Sequence, residues 1–536
     1  MKKAQFGMIG LGTMGRNFLL NVAEHGFSGA GWDLDAEKRR LLMEEGAGFD
    51  LQAGESFADF LGKLESPRKI MILVPAQVVD FVIKDCLDAL EAGDVVVDGG
   101  NSHFPDTERR EKILAEKGIE FLGVGVSGGE EGARRGASIM IGGKAEVYEH
   151  VRPFLEAASA KVNGESCAAF VGRGSAGHFV KMVHNGIEYG LMQILAETYD
   201  FMLRVIKMDY RQMSETFARW NGSELNSFLV EITSEVLRKT DRETGKPLVE
   251  MVLDKAAQKG TGKWTSQAAM DFGVPIPTID SAVSMRQISA QKETRQLIGK
   301  KYDGQPAIGG GQLETGGETV GSEPQHDMKA ALAAEDVETT VSEQQGANIG
   351  ARSRQTSEKT VPNPADESKN KEVREECAAD FDRFVEELKN ALLASFITTY
   401  AQGMSLLQTA STEKEYGLNL SEIAKIWRGG CIIRSALLEE MRRAYAENPD
   451  LPNLMLDDRF AETLSENRED WRSINAKFAE SRIPSLCLSS ALAYFDAFRS
   501  ERLPANLIQA QRDYFGAHTY QRVDKEGIFH TPDWNE

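Results

Sequence analysis

The sequence predicts an α/β N-terminal domain with a doubly wound parallel sheet, followed by a large all-helical domain and a C-terminal tail segment at 504–536. Three observations support this division. Short apolar runs alternate with helical patterns over residues 1–176, which is typical of βαβ units. Strand signals nearly vanish over residues 177–503, where long helical patterns take over. Residues 304–372 contain no aromatic side chain, so we expect a disordered insertion within the helical domain there.

Composition limits the classes of partner. The net charge of −20 argues against nucleic acid or an anionic membrane as a partner, because no basic excess is present to displace counterions. No run of about 20 uninterrupted apolar residues occurs, so we expect no membrane span. The five cysteines are scattered and form no C-x-x-C pair, which indicates reduced thiols and a cytoplasmic location. The histidines show no metal-binding spacing, so no metal is expected.

The first predicted strand, at residues 5–9, leads into a glycine-rich segment and a helix. Glycines at these places permit a tight turn and the close approach of a pyrophosphate to backbone N–H groups. An acidic residue follows about 20 positions later, where it can accept a hydrogen bond from a ribose hydroxyl. This context predicts a Rossmann-like dinucleotide-binding domain, with cofactor contacts from Gly10, Leu11, Gly12, Thr13, Met14, Gly15 and Asp33.

Loops after three later strands are expected to border the same cleft, because ligands of such sheets lie outside the carboxyl ends of the strands. The strand at 69–74 ends at Val74, shortly before Ala76, and the strand at 95–98 is followed by Asn101. The strand at 121–126 leads into Ser127, Gly128 and Gly129. We expect Val74, Ala76 and Asn101 to contact the cofactor. Taken singly, the last two loops could also be ordinary turns.

A long helix at 177–205 is predicted to begin the helical domain. If it turns about 100° per residue, four polar side chains share roughly 100° of arc, namely Lys181, His184, Asn185 and Glu188. The other faces are apolar or small, so the polar stripe should be buried and line a cavity within the protein. Burial tunes the pKa values of a lysine and a glutamate, which makes this pair a candidate acid and base. The alternative is a structural ion pair between Lys181 and Glu188.

Further helical patterns lie at 225–237, 277–296, 381–408, 420–426, 432–446 and 484–499, with a short one at 328–337. The segment 258–265 combines glycines with basic residues, a content typical of an anion-binding loop. A flexible exposed loop is the alternative.

Five motifs resemble those of decarboxylating 6-phosphogluconate dehydrogenases. They are Val126-Ser-Gly-Gly-Glu-Glu-Gly-Ala-Arg134, Val180-Lys-Met-Val-His-Asn-Gly-Ile-Glu-Tyr189, Gln258-Lys-Gly-Thr-Gly-Lys-Trp264, Trp427-Arg-Gly-Gly-Cys-Ile-Ile-Arg434 and Leu507-Ile-Gln-Ala-Gln-Arg-Asp-Tyr-Phe-Gly-Ala-His-Thr519. The resemblance covers nearly the whole chain except about residues 300–377. It implies oxidation of 6-phospho-D-gluconate to D-ribulose 5-phosphate and CO2 with a nicotinamide cofactor, a reaction of the pentose phosphate pathway and of gluconate utilization.

The resemblance also implies roles for individual residues. Lys181 would take the proton of the C3 hydroxyl, and Glu188 would protonate C1 of the enediol left after CO2 departs. The carboxylate and hydroxyls of the substrate would be held by Asn101, Ser127, Gly128, Gly129, His184 and Asn185. Its phosphate would be held by Tyr189, Lys259, Thr261 and Arg286, together with Arg512 and His518 from the partner subunit of a homodimer with shared sites.

The expected cofactor is NAD, with NADP use left open. NADP-using relatives carry Asn-Arg-Ser/Thr after the second strand, whereas this chain has Trp32-Asp33-Leu34-Asp35. A carboxylate at Asp33 accepts hydrogen bonds from the ribose 2′-hydroxyl of NAD and repels a 2′-phosphate. Nearby Lys38, Arg39 and Arg40 could still turn toward a phosphate.

Two other functions compete with this one. A related 3-hydroxyacid dehydrogenase would oxidise its substrate without decarboxylation, using the same lysine. A catalytically silent, cofactor-sensing protein would use its acidic insertion to recruit a partner.

Overall fold

The computed structural model describes residues 2–303 and 364–534. The expected insertion at 304–372, with its short helix at 328–337, lies mostly outside the described residues. The helix predicted at 381–408 already begins at Pro364, inside the segment expected to be disordered. Lys, Glu and Ala are good helix formers, so a stretch without aromatic residues can still be helical. The described chain forms two compact units, Met1–Lys292 with Ala391–Glu536, and Glu293–Asn390.

Eight strands form one sheet in the order β10-β7-β6-β5-β4-β1-β2-β3. The strands are β1 (Phe6–Ile9), β2 (Gly29–Trp32), β3 (Leu51–Ala53), β4 (Lys69–Ile72), β5 (Val95–Asp98), β6 (Glu120–Ser127), β7 (Ser138–Gly143) and β10 (Ala168–Gly172). A separate hairpin pairs β8 (Lys161–Val162) with β9 (Glu165–Ser166). The predicted parallel sheet is confirmed from β3 to β6. Beyond it, β7 runs antiparallel to β6, and β10 runs parallel to β7. The short apolar runs do not encode this reversal of direction.

Helices connect the strands and cover both faces of the sheet. They are α1 (Thr13–Glu24), α2 (Ala36–Glu45), α3 (Phe57–Gly62), α4 (Val79–Ala89), α5 (Phe104–Ala115), α6 (Gly129–Arg135) and α7 (Ala145–Ala158). Along β1, Phe6 and Met8 belong to one apolar cluster, whereas Ile9 belongs to another. Successive strand side chains point to opposite faces, so the sheet has a separate core on each side. Because β1 is apolar on both faces, helices pack on both sides of the sheet, which is the doubly wound arrangement.

In the described part of the chain, the remaining elements are helical, as predicted. They are α8 (Ala176–Phe201), α9 (Tyr210–Trp220), α10 (Phe228–Arg238), α11 (Leu248–Met251), α12 (Thr261–Asp271), α13 (Pro277–Ala290), α14 (Lys292–Asp303), α15 (Pro364–Glu413), α16 (Leu420–Trp427), α17 (Leu437–Glu447), α18 (Asp458–Glu480), α19 (Leu486–Phe498) and α20 (Ala505–Gly516). The pattern at 277–296 is divided into two helices at Gln291. Helices α9, α11, α12, α18 and α20 were not predicted. No helix of the described residues is long and apolar enough to cross a membrane.

Glycines allow α8 to lie directly on the sheet. A Cβ atom at Gly177 would lie 2.2 Å from the carbonyl oxygen of Gly123, and one at Gly125 would lie 2.3 Å from the Cβ of Lys181. Neither position has room for a side chain, so helix and strand meet backbone to backbone. This contact holds Lys181 against β6, close to the end of that strand.

Candidate active site

The polar stripe of α8 forms one hydrogen-bonded cluster. Lys181 Nζ donates to Asn185 Oδ1 at 2.8 Å, and His184 Nδ1 lies 3.1 Å from the same oxygen. His184 Nε2 lies 3.3 Å from Ser127 Oγ, which joins the stripe to the end of β6. Glu188 Oε2 lies 4.0 Å from His184 Nδ1, and its side chain is 20% exposed. Lys181, His184 and Asn185 are buried.

Burial shifts the pKa values in this cluster. Burial lowers the pKa of Lys181, against the attraction of the Glu188 carboxylate. Burial raises the pKa of Glu188, against the opposing effects of Lys181 and Arg286. The pKa of His184 lies well below its usual range because the ring is buried beside Lys181. A base with a lowered pKa and an acid with a raised pKa are suited to proton transfer near neutral pH.

The structural alternative, a direct ion pair between Lys181 and Glu188, is not what the geometry shows. Both residues are described, and Lys181 bonds Asn185 instead. The two charges interact only at longer range. Neither charge is therefore neutralised by direct contact with the other.

A cationic corner lies next to this cluster. The Arg286 guanidinium stacks on the Tyr189 ring, with its carbon 3.4 Å from the ring centroid. Arg286 Nη1 donates to the carbonyl of Ala257 at 3.0 Å, which ties it to the loop before α12. Thr261 is buried at the first position of α12, and Lys259 is exposed in the preceding loop. The predicted anion-binding loop is thus a helix N-terminus, whose free N–H groups and dipole favour an anion.

The two residues expected from a partner subunit lie elsewhere. Arg512 is on α20, and His518 lies two residues after the end of that helix. Both side chains are exposed. The sequence motif 507–519 therefore forms part of the tail segment.

The glycine-rich segment has the geometry of a phosphate-binding turn. Gly10 has a φ of +94°, and a Cβ atom at Gly15 would lie 1.9 Å from the carbonyl oxygen of Gly10. A Cβ atom at Gly12 would meet nothing within 4 Å, and Gly12 is the N-cap of α1 without a side-chain cap. The first N–H groups of α1 are therefore available to an anion. Val74 lies beside Gly10, and Ala76 begins a short 3-10 turn.

Asp33 lies at the end of β2, and its carboxylate is engaged by the same segment. Asp33 Oδ2 accepts a hydrogen bond from the N–H of Leu11 at 2.8 Å, and Lys38 Nζ lies 3.5 Å from Asp33 Oδ1. The side chain of Asp33 is 13% exposed. Leu34 is 86% exposed. Arg39 donates to the carbonyl of Asp33, and Arg40 pairs with Glu37 and Glu44.

A buried ion pair supports the loop that carries Asn101, and the sequence reasoning did not identify it. Arg110 Nη1 donates to Asp98 Oδ2 at 3.1 Å and to Ser102 Oγ at 2.9 Å. Ser102 Oγ also donates to Asp98 Oδ2 at 2.7 Å, so the loop is closed on itself while Asn101 stays exposed. Asp98, the acidic residue at the end of β5, was the feature of the sequence that could have indicated this ion pair. Nothing in the sequence distinguished Arg110, on α5, as its partner.

Two further contacts position the site. The carbonyl oxygen of Gly430 would lie 2.5 Å from a Cβ atom at Gly128, whose φ is +127°. The Trp427 ring meets the His184 ring edge-on, with centroids 5.5 Å apart. The motif 427–434 therefore closes on both the Ser127–Gly129 loop and the α8 stripe. His103 stacks on Trp264 at 4.6 Å, which joins the Asn101 loop to α12.

Comparisons with known proteins agree along the chain. The NAD binding domain of 6-phosphogluconate dehydrogenase matches residues 5–172, and the C-terminal domain of 6-phosphogluconate dehydrogenase matches residues 177–349 and 311–534. The chain is 43% identical over 99% of both sequences to the decarboxylating, NADP(+)-dependent 6-phosphogluconate dehydrogenase of Bacillus subtilis. It is 41% identical over 99% of both sequences to the decarboxylating enzyme of Synechococcus elongatus.

A solved structure of high similarity is that of Plasmodium falciparum 6-phosphogluconate dehydrogenase, determined in its apo form, with its cofactor NADP+ and with its substrate 6-phosphogluconate. The TM-score is 0.82 at 36% identity, over 98% of this chain and all of the other. The chain therefore belongs to the family of decarboxylating, nicotinamide-dependent 6-phosphogluconate dehydrogenases.

Proposed function

We propose that this enzyme oxidises 6-phospho-D-gluconate and decarboxylates it to D-ribulose 5-phosphate and CO2, with Lys181 as the base and Glu188 as the acid. The observation that carries the proposal is the buried stripe of α8, where burial lowers the pKa of Lys181 and raises that of Glu188. The names of the relatives support the substrate. The product would enter the pentose phosphate pathway.

In the first step, neutral Lys181 accepts the proton of the C3 hydroxyl as hydride leaves C3. A bound nicotinamide supplies the hydride acceptor. Asn185 accepts a hydrogen bond from Lys181 Nζ and so aims the amine. His184 lies within hydrogen-bond distance of both Ser127 and Asn185, and so it helps to fix the Asn185 side chain that contacts Lys181.

In the second step, the resulting 3-keto acid loses CO2. Protonated Lys181 donates a hydrogen bond to the new C3 carbonyl, which stabilises the negative charge that develops on that oxygen. The electron pair of the broken C1–C2 bond forms the C2=C3 double bond of the enediol, and Lys181 transfers its proton to the C3 oxygen. Glu188 then protonates C2 of the enediol, which becomes C1 of ribulose 5-phosphate, and Lys181 takes the proton of the C3 hydroxyl as the ketone forms.

The substrate carboxylate and hydroxyls are proposed to contact Asn101, Ser127, Gly128, Gly129, His184 and Asn185. Its phosphate is proposed to lie between Arg286, Tyr189, Lys259 and the N-terminus of α12 at Thr261. The stacked guanidinium and the helix N-terminus support this assignment. A local cluster of this kind lets a protein with a net charge of −20 bind a charged sugar acid.

We further propose that the cofactor is NAD in preference to NADP. The Asp33 carboxylate and the uncharged Leu34 support this choice, since neither would attract a 2′-phosphate. The proposal sets this chain apart from the Bacillus subtilis relative, whose name specifies NADP(+). Lys38 and Arg39 already contact Asp33, so their movement toward a 2′-phosphate would break existing contacts.

The assembly proposed is a homodimer in which residues 504–536 of each chain complete the site of the other, with Arg512 and His518 at the substrate phosphate. Exposed apolar side chains on and after α20 support a covering partner, and these are Leu507, Ile508, Phe515 and Ile528. The proposed domains are 1–176, 177–503 and 504–536. Buried free thiols at Cys86, Cys167, Cys431 and Cys487 support a cytoplasmic location.

One assay tests the reaction against its two alternatives. The enzyme is incubated with 6-phosphogluconate and NAD or NADP, while reduced cofactor and trapped CO2 are both measured. Equal yields of both products are expected. Reduced cofactor without CO2 would indicate a dehydrogenase that does not decarboxylate. Cofactor binding without either product would indicate a silent binding protein.

A further inference from the structure

The tail segment is organised around one buried carboxylate. Asp513 on α20 is 1% exposed, although its neighbours Arg512 and Tyr514 are exposed. Asp513 Oδ1 accepts a hydrogen bond from the N–H of Thr519 at 2.9 Å and lies 2.9 Å from His530 Nδ1. Asp513 Oδ2 accepts from the N–H of Thr531 at 3.0 Å and from Trp534 Nε1 at 3.1 Å. Two separate parts of the chain after α20 are thus bonded to one side chain.

The hydrogen bonds to Asp513 favour the ionised form of its carboxylate. Burial by itself would raise the pKa of Asp513, but the hydrogen bonds from Thr531, His530, Trp534 and Thr519 outweigh it and lower the pKa to about 2. Hydrogen bonds to an ionised acceptor are stronger than those between neutral groups. The contacts of Asp513 are therefore well suited to holding the segment in one shape.

The turn after α20 needs such support. Ala517 and Thr519, on either side of His518, have φ values of +50° and +62°, which non-glycine residues rarely adopt. Gln509 Nε2 donates to the carbonyl of Thr519 at 2.6 Å, so both backbone groups of Thr519 are bonded to side chains of α20. Gln509 Oε1 accepts from Arg512 Nη1 at 3.1 Å. The same two side chains, Asp513 and Gln509, thereby contact the turn that carries His518 and the side chain of Arg512.

We infer that Asp513, together with Gln509, is the positioning residue of the tail segment and holds Arg512 and His518 in the arrangement that meets the substrate phosphate. This inference rests on the proposed function, in which the segment completes the partner's site. Asp513 itself points into the segment and does not touch substrate. Its effect is transmitted through the turn at 517–519 and through the orientation of α20.

The variant Asp513→Asn tests the inference, with Asp524→Asn as its matched control. Asp524 lies in the same segment, is exposed and pairs with Arg522, so the control makes the same change of charge without touching the buried cluster. An asparagine at 513 keeps one acceptor oxygen but turns an NH2 group toward donors that previously met an oxygen. Two of the four contacts are therefore expected to be lost.

Two readouts are measured on the full-length enzyme. Hydrogen exchange by mass spectrometry, on peptides spanning 517–534, should be faster in Asp513→Asn and unchanged in Asp524→Asn. The KM for 6-phosphogluconate should rise at least about tenfold in Asp513→Asn, because charge-assisted contacts to a phosphate are loosened. The kcat and the KM for the nicotinamide cofactor should change little. Unchanged exchange together with an unchanged KM would overturn the inference.

A double-mutant cycle distinguishes positioning from a general loss of structure. In a background of Arg512→Ala with His518→Ala, adding Asp513→Asn should raise the KM no further. A second, equal rise would mean that Asp513 acts by another route, and the inference would be wrong. If Arg512→Ala with His518→Ala leaves the KM unchanged, the proposed role of the tail fails, and the exchange measurement alone then decides whether Asp513 shapes the segment.

A second variant keeps the test decisive if Asp513→Asn does not fold. Gln509→Leu leaves the carboxylate and its four contacts in place but removes the bonds to Thr519 and Arg512. It should also raise the KM for 6-phosphogluconate severalfold. An unchanged KM in this variant would contradict the shared positioning role.

Discussion

We expect cofactor choice to depend on two neighbouring side chains, Asp33 and Leu34, and changing both should reverse it. In Asp33→Asn with Leu34→Arg, the amide oxygen can still accept the hydrogen bond from the N–H of Leu11, so the glycine-rich turn should keep its shape. The charge that repels a 2′-phosphate is removed. An arginine at 34 adds an attracting charge at a position that is already 86% exposed, so no burial of a cation is required.

The expected size of the change follows from the charges involved. A carboxylate and a phosphate a few ångströms apart in a partly solvated site repel each other by about 1 to 3 kcal/mol, or roughly ten- to a hundredfold in relative specificity. Lys38 already lies 3.5 Å from Asp33 and offsets part of this repulsion. Asp33→Asn alone should therefore change the relative specificity by roughly tenfold, and the double variant should change it by roughly a hundredfold.

The assay is steady-state kinetics with NAD and NADP at saturating 6-phosphogluconate, compared as the ratio of the two kcat/KM values. Asp35→Asn is the control, because Asp35 carries the same charge two positions away but caps α2 by accepting from the N–H of Glu37. The control should leave the ratio nearly unchanged. A wild-type preference for NADP would refute the reasoning, and so would a shift in the control as large as that in the double variant.

Three further predictions concern the acid and base, the shared site and a second buried glutamate. Lys181→Ala and Glu188→Ala should each remove most turnover while cofactor binding is retained, and near-normal turnover in either variant would contradict the proton-transfer role of that residue. In the wild-type enzyme, kcat should fall at low pH as Lys181 is protonated and at high pH as Glu188 ionises. Mixing Lys181→Ala with Arg512→Ala, at a 6-phosphogluconate concentration too low for either protein alone to turn over, should restore part of the activity if each site draws on both chains, whereas verified subunit exchange without recovery would exclude shared sites. Burial raises the pKa of Glu197 from 4.5 to about 7. The protonated side chain therefore contributes stability, at most about 3 kcal/mol, that is present below pH 4.5 and lost as the pH rises to 7. Glu197→Gln should flatten the dependence of Tm on pH over this range, and an unchanged slope would contradict this role of Glu197.

Much of this protein could be predicted from local sequence. The glycine-rich segment with Asp33 predicted the dinucleotide fold because its function depends on backbone conformation within one turn. The stripe of Lys181 to Glu188 could be predicted because helical periodicity alone places those side chains together. The family motifs added roles for residues far apart in the chain, such as Ser127 and Arg286. These roles depend on resemblance and not on any local pattern.

Other features depend on contacts between distant parts of the chain, which local patterns do not encode. The reversal of β7 depends on pairing between strands, since a short apolar run is compatible with either direction. Helix α18 was missed because its apolar side chains are sparse and become informative only where they pack, as at Trp471 and Phe478. The segment at 258–265 was expected to be a loop, whereas most of it is the start of α12.

The most consequential tertiary features are buried polar groups. Asp98 with Arg110, and Asp513 with its four donors, would be unfavourable in a core if left unpaired, and each is satisfied only by partners that folding brings near. The sequence by itself determined the fold class, a parallel α/β sheet followed by a large helical part, and which side chains share the face of α8. Only the tertiary structure decided how the Asn101 loop and the tail segment are held, because those hydrogen bonds join residues that no local periodicity relates.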